Sequence, residues 1–350
     1  MKRFPFFLLM VMIILVFGSL TVLAEKVYVM KFGWIDPPDP YSNPTSAYAV
    51  TLKSEVERLS GGRIKVELYP AGQLGDQRSS VEQVRKGTIE ACNISSGVLA
   101  SAYYPPLELV DMPFLFTSYE HVRLVVNSDF MKNLIEDCAK KTGIRILSLQ
   151  PFGFRHIFNS RRPIKVPSDL KGLKIRTMEI VPHMKLIEAA GGTPTPMPML
   201  ELYTALQTKV VDGAENTISN ILAQKYYQVQ KYLTLTGHLM GIGATIINEE
   251  WFQSLPSDLK AALVEGEKTA WLVYSGIGQL VSDVKLDELK KKMEVYVPTT
   301  KEIELWKEKT QPYVKEYLVE KLGKDLVDEF LKIVDEARQQ IVTEATSLGK

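Results

Sequence analysis

Gly-Phe-Arg-His-Ile-Phe-Asn-Ser (Gly153 to Ser160), Asp-Leu-Lys-Gly-Leu-Lys-Ile-Arg (Asp169 to Arg176), Thr-Pro-Thr-Pro-Met-Pro (Thr193 to Pro198) and Leu-Tyr-Thr-Ala-Leu-Gln-Thr (Leu202 to Thr208) run in that order into Val-Val-Asp-Gly-Ala-Glu-Asn (Val210 to Asn216). Apolar alternation marks strands at Arg155 to Phe158 and at Leu173 to Met178. Helical spacing returns around His183 to Ala190 and from Leu200 to Thr208. Gly191-Gly192 and the prolines at 194, 196 and 198 separate these helices and are expected to form a rigid, extended connector. Asp-Gly-Ala-Glu-Asn reads as a turn.

The alternation extends in both directions from this block. Val27 to Phe32 and the Ile64, Val66, Leu68 series read as strands. Between them Tyr48, Leu52, Val56 and Leu59 recur at helical spacing until Gly61-Gly62. A second helix, with Val81 and Val84 inward, ends at Gly87 before a strand at Ile89 to Ile94. Strand, helix, strand, helix, strand is the pattern of a sheet covered by helices on both faces, an α/β fold. Further on, Gly241 to Ile247 is strand-like, and Ser257 to about Met293 reads as one long helix with Ser257 as N-cap. Thr299 and Glu302 have the spacing of a capping box, and a helix break is expected at Gln311-Pro312.

Lys2 and Arg3, the apolar run Phe4 to Leu23 and the small Ala24 have the form of a cleaved secretory signal over residues 1–24, without a cysteine for lipidation. A retained anchor is the alternative, since the run approaches a bilayer span. About 325 residues remain, enough for two lobes. A formal net charge of +1 argues against a nucleic-acid footprint, which needs a clustered basic face. Cys92 and Cys138 are expected as unpaired thiols. No metal spacing, phosphate loop, dinucleotide fingerprint or nucleophile elbow occurs, so neither cofactor nor catalytic set is expected. His121, His156, His183 and His238 are expected at the surface or in caps.

The quoted block, together with Tyr-Pro-Ala-Gly-Gln-Leu-Gly-Asp (Tyr69 to Asp76), Met-Pro-Phe-Leu-Phe (Met112 to Phe116) and Gln-Lys-Tyr-Leu-Thr-Leu-Thr-Gly-His (Gln230 to His238), resembles the DctP-like solute-binding proteins of TRAP transporters. The order and spacing of these pieces over nearly the whole exported chain carry the resemblance. It implies a two-lobed periplasmic-binding-protein fold with a hinge, a central cleft and a long helix spanning both lobes. The implied lobes are 25–152 plus about 242–281, and 153–241 plus about 282–350. It also implies a periplasmic receptor that captures a small organic acid and delivers it to a membrane permease. An ABC-type receptor shares the export signal and the lobes, but the Arg176 and Asp-Gly-Ala-Glu-Asn blocks argue against it. An exported enzyme acting on an organic acid is a third reading, without a recognisable catalytic set.

By resemblance Arg176 matches the arginine that pairs with the ligand carboxylate, and a guanidinium at a strand end suits that bidentate task. Arg155 matches a second cleft arginine; its alternative is to orient the Asp-Gly-Ala-Glu-Asn segment. Asn216 can donate to and accept from a carboxylate edge or a hydroxyl, although Thr217 departs from the proline or asparagine usual after it. Trp34, in the loop after the first strand, is a candidate apolar wall or a core plug, and Ser95 and Ser96 are candidate hydroxyl contacts. Some relatives that bind sugar acids carry an acid where Ser95 falls.

Overall fold

A computed structural model describes residues 25–348. The signal-peptide expectation for residues 1–24 lies outside the described residues. No helix among the described residues is long and apolar enough to cross a membrane.

Nine strands form the sheet: β1 (Tyr28–Gly33), β2 (Ile64–Tyr69), β3 (Ala91–Ser95), β4 (Ile144–Asn159), β5 (Lys174–Thr177), β6 (Thr193–Pro196), β7 (Gly213–Thr217), β8 (Tyr232–Asn248) and β9 (Glu294–Tyr296). Their order is β2-β1-β3-β8-β4-β7-β5-β6, with β9 beside β8. β1 and β2 pair in parallel, and the expected alternation holds there: Ile64 and Val66 are buried while Lys65 and Glu67 are exposed. β4 and β8 form a long antiparallel ribbon from Ile144↔Asn248 to Asn159↔Tyr232. One end of this ribbon pairs with β3 at Gly243 to Ile247, and the other pairs with β7 at Arg155 to Asn159. Two half-sheets therefore share two strands, and the chain is a mixed α/β protein. The register shifts between Pro151 and Gly153, near the change of partner, where Gly153 has φ 126°, a conformation open to glycine.

The helix Ser257–Lys290 runs unbroken past Gly276 and Gly278. It packs against the helix Pro44–Leu59 and against β4, and Tyr48 meets Tyr274 edge-on at 5.8 Å. Ser257 is the first helical residue and not the cap; Pro256 occupies the cap position, without a side-chain hydrogen bond. The Thr299–Glu302 capping box is present, and the helix it starts, Thr300–Leu322, continues through Pro312 to end at Gly323. The expected break is absent because Trp306, Thr310, Val314 and Leu318 bury one continuous stripe across the proline. That burial offsets the roughly 3 kcal/mol an interior proline costs. The last helix, Lys324–Leu348, then returns to the helix Tyr119–Val126, where the Val334 carbonyl lies 2.8 Å from His121 Nε2.

Two further expectations are corrected. Thr193–Pro196 is an edge strand and not a mere connector, a position where proline's missing N–H leaves no ladder bond unmade. Asp-Gly-Ala-Glu-Asn is not a turn: Gly213 to Asn216 lie in β7. A Cβ at Gly213 would sit 2.2 Å from the Phe158 carbonyl oxygen, so glycine is what lets β7 approach β4.

Candidate functional site

The carboxyl ends of β1, β3, β5 and β7 converge on a small cavity with room for about 40 Å3. Open α/β sheets bind ligands outside the carboxyl ends of their strands. β1 delivers Ile35 and Asp36, β3 delivers Ser95, β5 delivers Arg176 and Met178, and β7 leads to Asn216 and Asn220. Of the six residues singled out in the sequence, Arg176, Arg155, Asn216 and Ser95 border this cavity. Trp34 and Ser96 do not. Trp34 packs with Phe32 and Tyr48 in the core, where its indole N–H donates to Ser46 Oγ at 3.1 Å. Ser96 is fully buried at the start of the helix Ser96–Ala102.

Arg176 is 1% exposed. Its Nε and Nη2 both donate to the Met197 carbonyl, at 3.0 and 2.7 Å. No carboxylate lies within 4.0 Å of it among the described residues. Burial pushes its pKa down to about 10. Because Nε and one Nη hydrogen are committed to the carbonyl, the edge formed by the two Nη atoms is left for a planar anion.

Arg155 is in the opposite condition. It forms an ion pair with Glu215 through Nε, and Nη2 donates to Glu215 Oε1 and to the Glu215 carbonyl, both at 2.9 Å. Around Glu215 stand His183 Nδ1 at 3.4 Å and His238 Nε2 at 3.5 Å, and His183 Nε2 reaches Asp111 Oδ1 at 3.1 Å. Burial works against the Glu215 carboxylate, but Arg155 and the two imidazoles overcome it and hold its pKa well below the usual range. Burial likewise opposes the His183 imidazolium, and Asp111 and Glu215 raise its pKa regardless. His156 is pushed down to about 3 by burial, then by His238 and Arg155. The expectation that the histidines are surface or capping residues is thus corrected: His121, His183 and His238 are buried and His156 is half-buried. Their partners lie far away in sequence, beyond the reach of local spacing.

Hydrogen bonds also orient the amides. The Asn216 oxygen accepts from the Thr217 N–H at 2.9 Å and from Asn220 Nδ2 at 3.2 Å. The Gln77 oxygen accepts from the Ser95 N–H at 2.8 Å. The NH2 groups of both amides therefore remain available to the cavity. Sequence reading missed Gln77 and Asp36; both follow turn-like segments at strand ends, a position that was itself a signal. Asp36 is 9% exposed, and its Oδ1 has no hydrogen-bond partner among the described residues. Burial raises its pKa to about 6 against the hydrogen bonds of Thr45 and Asn43. Among the described residues no group of His, Cys, Asp and Glu is placed to hold a metal, and both cysteines are free.

A family model described as bacterial extracellular solute-binding protein, family 7 (DctP), matches residues 39–321. The chain is 40% identical over 218 residues to a solute-binding protein of Verminephrobacter eiseniae, a match spanning 62% of this chain and 64% of that protein. It is 31% identical to the sialic acid-binding periplasmic protein SiaP of Vibrio cholerae, over 77% of this chain and 83% of the relative. The sugar acid binding protein DctPAm from Advenella mimigardefordensis, solved with galactonate, superposes with a TM-score of 0.84 at 30% identity. That match covers 89% of this chain and 99% of the other.

Proposed function

Because the chain belongs to the bacterial extracellular solute-binding proteins of family 7, we propose that it captures a small organic acid in the cavity bordered by Arg176 and delivers it to a TRAP membrane permease. Arg176 carries this reading: a buried guanidinium whose hydrogen bonds among the described residues go to a carbonyl, with no carboxylate within 4.0 Å, gains most from an anionic ligand. A buried charge is costly unless paired and hydrogen-bonded, and a carboxylate on the Nη edge supplies both. Asn216 and Ser95 are assigned as polar contacts, and Arg155 as the residue that holds Glu215 and frames the pocket. Sialic acid, bound by the Vibrio cholerae relative, and galactonate, bound by the Advenella mimigardefordensis relative, are carboxylates and support the same class.

The lobes that close are assigned as 25–152 plus about 242–281 and 153–241 plus about 282–350. Asp36 and Ser95 belong to the first and Arg176 and Asn216 to the second, so a ligand touching both favours the closed form. The protein acts in the periplasm as a receptor and not as an enzyme. A bound acid is therefore recovered chemically unchanged, which NMR of the released ligand checks.

The test is a thermal-shift and calorimetric screen of organic acids, each beside its uncharged amide. A ligand confined to the folded state adds about 2.7 kcal/mol at a hundredfold excess over its Kd. Acids that raise the midpoint while their amides do not, with the effect lost in Arg176→Ala, support the reading. Amides and acids acting alike would overturn it.

A further inference from the structure

Asp36 stands on a rigid loop. Its carbonyl accepts from the Ala71 N–H at 3.0 Å, the Trp34 carbonyl accepts from the Gly72 N–H at 3.0 Å, and the Pro37 carbonyl accepts from Ser46 Oγ at 2.6 Å. These bonds hold the loop's backbone, and Asp36 borders the cavity from it. Asn43 and Thr45 flank it, yet Oδ1 is left without a donor. Asp36 and Arg176 border one cavity but do not pair, since no Arg176 nitrogen is within 4.0 Å of an Asp36 oxygen. A buried carboxylate with an unused lone pair is a standing cost that a ligand donor removes.

What kind of donor follows from the rest of the wall. Arg176 and the NH2 groups of Asn216 and Gln77 all donate. Asp36 Oδ1 is an acceptor still open. The complementary ligand offers many acceptor oxygens and at least one donor. A hydroxyl does both, giving its proton to Asp36 and its lone pairs to the amides. An ammonium has three protons and no lone pair, so it satisfies Asp36 but faces the amide donors unmatched. A second carboxylate fits worst, because it meets Asp36 as a like charge and has no second uncompensated cation to pair with.

We propose, resting on the acid-capturing reading above, that Asp36 is a specificity-determining residue that accepts a ligand hydroxyl, so that this receptor selects hydroxylated monocarboxylates over unsubstituted and dicarboxylic acids of the same length. The ligand is then held by its carboxylate on Arg176 and by a hydroxyl on Asp36, across the two ends of the cavity wall.

Two matched sets test this by calorimetry: erythronate, butyrate and succinate at four carbons, and gluconate, hexanoate and adipate at six. In the wild-type protein the hydroxylated member of at least one set binds more tightly than its partners by about tenfold or more, the size of a charge-assisted hydrogen bond. In Asp36→Asn, which keeps the shape, that ratio falls toward one and the dicarboxylate gains relative to the hydroxy acid. Asp36→Ala serves as a second variant, and thermal unfolding confirms that each is folded. A ratio unchanged in both folded variants overturns the assignment of Asp36. Equal binding of all three acids by the wild type overturns the hydroxyl selectivity while leaving the acid-capturing reading intact. Binding of none of the six acids defeats the selectivity claim, and the wider amide-against-acid screen then decides separately whether the acid-capturing reading stands. Glutamate or alanine binding more tightly than any hydroxy acid would point to an ammonium at Asp36 and overturn the proposal.

Discussion

Arg155 and Arg176 border the same cavity and are almost equally buried, at 2% and 1% exposure, yet they differ in how their charge is paired within the fold. Arg155 is already matched: Glu215 takes its guanidinium, and His183 and His238 close around that carboxylate. Arg176 donates to the Met197 carbonyl and, among the described residues, has no carboxylate within 4.0 Å. The same contrast runs through the acids, because Glu215 is held low by its partners while Asp36 is pushed up to about 6 by burial. Arg155 and Glu215 form a pair complete within the fold. Arg176 and Asp36 are each left without an ionic partner within the fold, and the proposed ligand would complete both. On that proposal burial does not distinguish a structural charge from a binding one; compensation does.

Removing one member of the complete pair gives the largest effect. Arg155→Ala strands a buried carboxylate, and the expected loss is about 3–5 kcal/mol of folding stability, read by urea denaturation. Arg176→Ala strands no charge. It is expected to cost about 2–4 kcal/mol of ligand affinity by calorimetry, with a shift in unfolding midpoint far smaller than that of Arg155→Ala. If the two variants exchange these behaviours, the division between structural and binding arginine is wrong. A sharper form pairs the substitutions: Arg155→Met with Glu215→Leu removes both charges, and part of the stability lost in Arg155→Ala is expected to return.

Some of this was legible in the sequence and some was not, for physical reasons. Arg176, Arg155 and Ser95 were singled out because each ends or adjoins an apolar strand-like segment, Asn216 because it closes a segment read as a turn, and all four because the family resemblance pointed to them. The full ribbon of β4 and β8 was seen only in fragments. β8 is buried on both faces from His238 to Asn248, so its side chains do not alternate between apolar and polar. Pro312 was read as a break because local propensity is local, whereas the stripe from Trp306 to Leu318 is fixed by packing. His183 meets Asp111 across 72 residues and Glu215 across 32, and no spacing rule encodes that. Asp36 lay in the loop already marked as a strand end, two residues from Trp34. Residue size drew attention to the tryptophan; the orphaned oxygen on its neighbour appears only once the loop is folded against Ala71 and Gly72.

The smallest effect has the opposite sign to the others and tests the incomplete pair directly. Asp36 has a folded pKa of about 6 against 3.8 for its ordinary value, so between these the folded protein holds a proton that the unfolded chain has lost. A raised folded pKa means stability that is full below pH 3.8 and is lost as pH rises through 6. Asp36→Asn carries no such titration. The variant is therefore expected to overtake the wild type without ligand by about 1–3 kcal/mol on going from pH 4 to pH 7, measured as the difference between two urea-denaturation series. A saturating hydroxy acid that donates to Asp36 would stabilise its charged form and shrink that difference. A difference independent of pH would mean that Asp36 is compensated like Glu215, and the contrast between the two pairs would collapse.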